Sequence, residues 1–147
     1  MATFSGARVI GGQLKLRKTA SQSAVVLAYI PNNTSINVSD YDDTWLSCTY
    51  NGSSGYLMRQ FVDVSRSTNR TRADVFGTST LRRGNEGRYV YNLQHYLNRH
   101  GAGLTCDGIF GGGTETAVIN YQSNNGLDAD GLAGANTKDS LLQKTPQ

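Results

Sequence analysis

The 147-residue sequence is poor in proline and cysteine, with two of each, and only 37 % of its residues are apolar and 17 % charged. So low an apolar fraction argues against one large core and fits one medium domain or two small ones. No stretch approaches eighteen consecutive apolar residues, which excludes a membrane-spanning helix. The start, from Met1 to Arg8, shows no basic segment followed by an apolar one, so no intact secretory signal is expected. Cys48 and Cys106 lie far apart, without a CxxC pair or histidines at metal-ligand spacing. Neither a disulfide framework nor a metal site is expected, and nothing calls for a cofactor. Each cysteine reads as a buried structural thiol, because the only histidines that could serve as a base are His95 and His100. Composition points away from an enzyme.

What is present changes character along the chain. Up to residue 64, short β-branched and aromatic runs follow one another: Arg8-Val-Ile, Leu14-Lys-Leu-Arg, Val25 to Ile30, Ser35 to Ser39, Thr44 to Tyr50 and Gly55-Tyr-Leu-Met. Turn signals separate them, among them Gly11-Gly12, Pro31-Asn-Asn and Asn51-Gly52, the last a strong hairpin signal. Five or six short strands at this spacing predict a small barrel over residues 1–64. Residues 65–80, rich in Ser, Thr and Arg, read as a basic linker in which only Val75-Phe76 can pack. There Lys and Arg outnumber Asp and Glu three to one, against a near balance on either side.

From Leu81 the period is helical. Between Glu86 and His100, residues Val90, Leu93 and Leu97 fall within about 60° of one another at roughly 100° per residue, flanked by Tyr89 and Tyr96. Gly101 ends that helix. Further helices are predicted from Gly112 to Asn125 and from Ala135 to Gln143, and three such short helices must pack on one another. An internal echo, DGxxGxxT, precedes both: Asp107, Gly108, Gly111 and Thr114 recur as Asp130, Gly131, Gly134 and Thr137. In each copy Asp-Gly turns the chain, the second Gly sits near the helix N-cap, and the Thr hydroxyl is expected to satisfy a free N–H of the first turn.

On the first helix, Tyr91, His95 and Arg99 lie opposite the apolar stripe with Arg88 beside them, an expected outward row able to stack on a sugar and bind carboxylates. His100 is expected to cap the helix end. In the β half the binding candidates are Tyr41, Trp45 and Tyr56 with Arg17; Trp45 and Tyr56 serve equally well as core residues. Two Asp-Gly loops lack the ligand pattern of a calcium loop, with Thr137 where a bidentate Glu is required. Asp107, Glu115, Asp128 and Asp139 sit in helix-entry or exposed patterns rather than as an acid/base pair. Arg66, Arg70, Arg72, Arg82 and Arg83 form no concentrated basic face of the kind a nucleic-acid binder carries, so a nucleic acid is not an expected partner. Attraction to anionic polymers needs only long-range electrostatics and stays open.

The stretches Leu81-Arg-Arg-Gly-Asn-Glu-Gly, Val90-Tyr-Asn-Leu-Gln, Cys106-Asp-Gly-Ile-Phe-Gly and Asn125-Gly-Leu-Asp-Ala-Asp-Gly-Leu-Ala-Gly resemble the bacterial three-helix peptidoglycan-binding domain across residues 81–147. The chain departs from that pattern at Gly112 and Ala135, where proline is common, and at Lys138, where tryptophan is common. The strand Leu14-Lys-Leu-Arg with its small-residue loop, Trp45 and Tyr50-Asn-Gly-Ser-Ser-Gly-Tyr-Leu resemble a bacterial SH3 domain. These resemblances imply a two-domain β-then-α fold, an SH3-like barrel followed by a three-helix bundle. They imply a non-catalytic binder of peptidoglycan or muropeptides, acting at the cell wall or outside the cell, alone or as the targeting part of a larger wall hydrolase or phage endolysin. A peptide-binding adaptor is the alternative from a different class.

Overall fold

A computed structural model describes residues 2–147. Two compact units divide the chain, one ending at Asn69 and the other spanning Arg70–Pro146. In the first, seven strands form one antiparallel sheet: β1 (Thr3–Val9), β2 (Leu14–Arg17), β3 (Val26–Ile30), β4 (Ser35–Asp40), β5 (Trp45–Tyr50), β6 (Ser53–Met58) and β7 (Val62–Asp63), ordered β3-β2-β6-β5-β4-β1-β7. Alternation drives the packing, since successive side chains of a strand point to opposite faces. Phe4, Leu16, Ile30, Val38, Leu46 and Leu57 bury completely or nearly so, while polar residues alternate with them on the other face. The Asn51-Gly52 signal holds: both residues adopt positive φ, and Tyr50 pairs with Ser53 across a two-residue loop.

The expected closed barrel is instead an open sheet. β3 pairs only with β2, and the two-residue β7 pairs only with β1, because short 3-10 turns at Arg59–Phe61 and Val64–Arg66 interrupt the chain on both sides of it. Arg59 is fully buried at this corner, paired with Asp40 at 2.8 Å and donating to the Asp42 carbonyl at 2.8 Å.

The basic linker is also corrected. Ser65 and Ser67 are buried, with Ser67 Oγ donating to the Val64 carbonyl at 2.7 Å. Asn69 bridges two backbone groups of β1, accepting from Ser5 N–H and donating to the Thr3 carbonyl, both at 2.8 Å. Residues 65–69 therefore belong to the sheet unit. From Arg70 the chain enters the helical unit: Thr71 caps a five-residue helix α1 (Arg72–Phe76), and Val75 and Phe76 are fully buried. Arg72 pairs with Asp139 at 2.9 Å, and the Arg70 guanidinium donates to the Leu142 and Thr145 carbonyls. The polar composition that suggests a solvated linker is used here to satisfy backbone groups.

The helical unit has four helices among the described residues rather than three: α1, α2 (Arg88–Asn98), α3 (Gly112–Asn124) and α4 (Ala135–Lys144). Their shared core contains Phe76, Val90, Leu93, Tyr96, Leu97, Phe110, Val118 and Leu141, with Phe76 and Tyr96 edge to face at 4.9 Å between centroids. At the Lys138 position the ammonium is buried and donates to the Ser79 carbonyl at 2.6 Å and more weakly to that of Gly77 at 3.4 Å, tying α4 to the turn after α1.

Candidate functional site

The two DGxxGxxT segments are held by one recurring device. Gln94 Nε2 reaches Asp107 Oδ1 (3.0 Å), the Ile109 carbonyl (3.1 Å) and Thr114 Oγ1 (3.1 Å), while its Oε1 accepts from Gly108 N–H at 2.9 Å. Gln122 repeats this with Asp130 (3.1 Å), the Leu132 carbonyl (3.0 Å), Thr137 (3.0 Å) and Gly131 N–H (3.0 Å). In each copy the Asp carboxylate also accepts the N–H two residues on. Gly111 and Gly134 are the N-caps, as expected. The threonine role differs from expectation: the hydroxyl accepts from a glutamine amide rather than from a first-turn N–H. Gly108 needs its glycine twice over, with φ at +72° and a Tyr91 ring where a Cβ would stand. Sequence reasoning missed both glutamines; the signal available was a Gln on the helix preceding each Asp-Gly turn.

The row on α2 is not an outward face. His95 is 2 % exposed, and Arg88, Tyr91 and Arg99 are only part-exposed. Residues 104–111 fold over this side of the helix: Asn98 is pinned to Leu104 by bonds of 2.6 and 2.9 Å, Tyr91 lies against Gly108, and Gln94 is occupied by the turn. A helical wheel assigns one packed face, whereas α2 packs on two. Arg99 donates to the Pro146 carbonyl at 2.5 Å. His100 does not cap the helix; its Nε2 lies 2.8 Å from Thr145 Oγ1 and its ring stands edge-on to Tyr121 at 4.9 Å.

A groove of about 450 Å³ opens beside His100, bounded also by Thr116, Asn120, Tyr121 and Asn124 of α3. Hydroxyls, amides and the Tyr121 ring line it together with the apolar Leu97, Ala102 and Ala117, and no carboxylate does, a composition suited to neutral sugars and peptide amides. Burial, then the charges of Arg99 and Lys144, hold the His100 pKa below its ordinary value. Tyr121 OH lies 2.8 Å from Ser140 Oγ, and burial raises its pKa against the opposing effect of that bond.

In the sheet unit the structure gathers three of the four candidates. Arg17 stands opposite Tyr56 across β2 and β6, Tyr56 meets Tyr41 edge-on at 4.7 Å, and the Arg17 guanidinium donates to the Ala24 carbonyl at 2.9 Å. Trp45 is separate: it is 6 % exposed and closes the core. Beside Tyr56 a groove of about 530 Å³ is bounded by Lys18 and by hydroxyls of Ser39, Ser47, Thr49 and Ser54. Register explains the ladder, for Ser39 pairs with Ser47, Ser47 with Tyr56 and Thr49 with Ser54. Its signal in the sequence is hydroxyl residues at alternate positions of three successive strands.

Four acids are engaged locally: Asp107 and Asp130 in their turns, Asp139 with Arg72, and Glu115 with Arg83 at 3.6 Å; Asp128 is exposed. Among the described residues no group of three or more His, Cys, Asp and Glu side chains is placed to hold a metal ion, and no helix is long and apolar enough to cross a membrane. Cys48 is buried, and burial pushes its thiol pKa up; Cys106 is half-buried, unlike the expectation for both.

Residues 86–141, which contain both glutamine-closed turns, match the family described as "Putative peptidoglycan binding domain". Over these residues the chain is similar to that family. It is 41 % identical over 73 residues to a spore cortex-lytic enzyme of Bacillus cereus, a match covering 49 % of this chain and 28 % of the relative. A zinc D-Ala-D-Ala carboxypeptidase of Streptomyces albus G is 41 % identical over 69 residues, 45 % of this chain and 27 % of the relative. Among solved structures the SleB N-terminal domain is 42 % identical with a TM-score of 0.47, over 48 % of this chain and 97 % of that one. The chain thus spans about a quarter of the length of the curated relatives it matches.

Proposed function

We propose that this protein binds bacterial peptidoglycan without cutting it, through both units. The observation that carries the reading is the match of residues 86–141 to the peptidoglycan-binding family. Relatives named for two different activities, a cortex-lytic enzyme and a carboxypeptidase, each match 45–49 % of this chain, which fits a recognition module and not the part that performs either reaction. Within the helical unit the groove beside His100 and Asn120 is the glycan-binding surface; Arg99 adjoins His100 in the chain, whereas Arg88 and Tyr91 lie toward the other end of α2, away from this groove. In the sheet unit, which resembles a bacterial SH3 domain, Arg17, Tyr41 and Tyr56 with the hydroxyl ladder take the peptide or an anionic wall polymer. Two weak sites on one chain raise retention through effective concentration. The setting is the cell wall or extracellular space, where the chain acts alone or as the targeting part of a larger wall hydrolase.

Co-sedimentation of the full chain with insoluble peptidoglycan, with release of soluble fragments followed in the same tube, tests both halves of the proposal. Protein in the pellet and no released fragments is the expected outcome. Protein left in the supernatant at low and moderate salt overturns the binding, and steady fragment release overturns its non-catalytic character.

A further inference from the structure

The half-buried Cys106 is not isolated. Its Sγ lies 3.5 Å from Nδ1 of His95, which is 2 % exposed, and 3.5 Å from Nδ2 of Asn98. The two partners come from successive positions of one α2 face, and both are held. Asn98 accepts from Leu104 N–H at 2.6 Å and donates to the Leu104 carbonyl at 2.9 Å, which aims its amide at the sulfur. His95 is locked in a packed helix interior under residues 104–108. A nucleophile within hydrogen-bond reach of a base, with a fixed donor on the same atom, is the arrangement that activates a thiol. In the chain Arg99 follows Asn98 and Asp107 follows Cys106, and the Asp107 Oδ1 accepts from Gln94 and from the Ile109 N–H. Cys48 provides the contrast within the molecule: it is 6 % exposed, and burial disfavours its ionised form.

We propose that Cys106 is a covalent modification site, a nucleophilic thiol activated by His95 that exchanges with low-molecular-weight disulfides. In the first step the Cys106 proton passes to His95 Nδ1, giving a thiolate that accepts hydrogen bonds from the imidazolium and the Asn98 amide. In the second, the thiolate sulfur attacks one sulfur of the disulfide. A new S–S bond forms at Cys106, the reagent's S–S bond breaks, and its other half leaves as a thiolate that takes up a proton from solvent. Cys106 is oxidised to the mixed disulfide and one equivalent of the reagent's thiol is its reduced counterpart. The adduct falls beside the Asp107-Gly108 turn, so modification is sensed directly where Gln94 and Tyr91 hold that turn.

The full chain is reacted with 5,5′-dithiobis(2-nitrobenzoate) from pH 5.5 to 9.5, with the modified cysteine located by mass spectrometry and with His95→Gln and Cys48→Ser variants alongside. The expected result is one fast-reacting thiol, Cys106, whose rate at pH 6.5 exceeds that of an unstructured cysteine peptide by about tenfold, as for thiolates paired with a cationic neighbour. In His95→Gln the rate at pH 6.5 falls by about the same factor, and the two proteins converge near pH 9.5, where the thiol ionises unaided. A wild-type profile that follows the peptide's overturns the proposal without any variant, so a poorly folding His95→Gln does not shelter it. A rate unchanged by His95→Gln, or labelling of Cys48 first, also overturns it.

Discussion

Gln94 and Gln122 perform the same task in two places, each inserting a side-chain amide into an Asp-Gly turn and contacting an Asp, a Thr, a carbonyl and a glycine N–H at 2.9 to 3.1 Å. The DGxxGxxT echo is therefore a structural repeat, each copy closed by a helix that precedes it. Replacing either glutamine by alanine leaves a buried N–H, a carbonyl and a hydroxyl short of partners, and a stability loss of about 2–3 kcal/mol is expected in denaturant unfolding. Replacement by glutamate keeps the acceptor but faces a carboxylate to Asp107 or Asp130. It should be worse than alanine at neutral pH and recover partly on acidification; a glutamate variant as stable as wild type would refute this account of the turns.

Lys138 takes the place at which the family's resemblance leads one to expect a tryptophan, and its ammonium is spent on the carbonyls of Ser79 and Gly77. Burial, with a smaller contribution from Arg72, holds its pKa below the ordinary lysine value. The unfolded chain binds that proton more tightly than the folded one, so stability rises with pH from the lowered folded value up to the ordinary one, 10.5. Lys138→Met should lack this rise, so that wild type gains stability relative to the variant in urea unfolding between pH 8 and 10.5. An identical pH slope in both proteins would contradict it.

His100 has the same sign in a lower window. Burial and the neighbouring Arg99 and Lys144 lower its folded pKa below the ordinary value. The unfolded state gains the proton first as pH falls from about 7, and stability drops until the lowered folded value is passed. His100→Gln should flatten the dependence of the urea midpoint between pH 7.5 and 5. Retention of the full acid sensitivity in that variant would assign it elsewhere.

In the sheet unit, Arg59 is fully buried against Asp40. Asp40→Asn removes the carboxylate paired with a buried guanidinium, and a loss of about 3–5 kcal/mol is expected. Thermal and urea unfolding measure it, and a loss under about 1 kcal/mol would show that the pair does not hold this corner.

Local signals carried well from sequence to structure. Alternation placed the strands, Asn51-Gly52 placed a hairpin, and helical periodicity placed α2, α3 and α4 within a few residues. What escaped depends on tertiary partners. α1 is five residues long, too short to show a period, yet it supplies the buried Val75 and Phe76. The Ser, Thr, Asn and Arg of residues 65–72 look solvated until their backbone acceptors are known. His95 looks outward on a wheel because nothing local announces that residues 104–108 return over α2. The binding candidates divide accordingly: Arg17, Tyr41 and Tyr56 come together, Trp45 turns to the core, and the grooves lined by Ser39, Ser47 and Thr49 and by Asn120 and Asn124 were hidden among ordinary polar residues.

The most direct measurement is a binding isotherm of the full chain on purified insoluble peptidoglycan, compared with variants carrying Asn120→Ala with Asn124→Ala in the helical groove and Tyr56→Ala in the sheet groove. The account predicts saturable binding by the wild type, several-fold weaker binding by each variant with its fold intact by circular dichroism, and a larger loss when the two are combined. Absence of saturable binding by the wild type, or full binding by the combined variant, would contradict it.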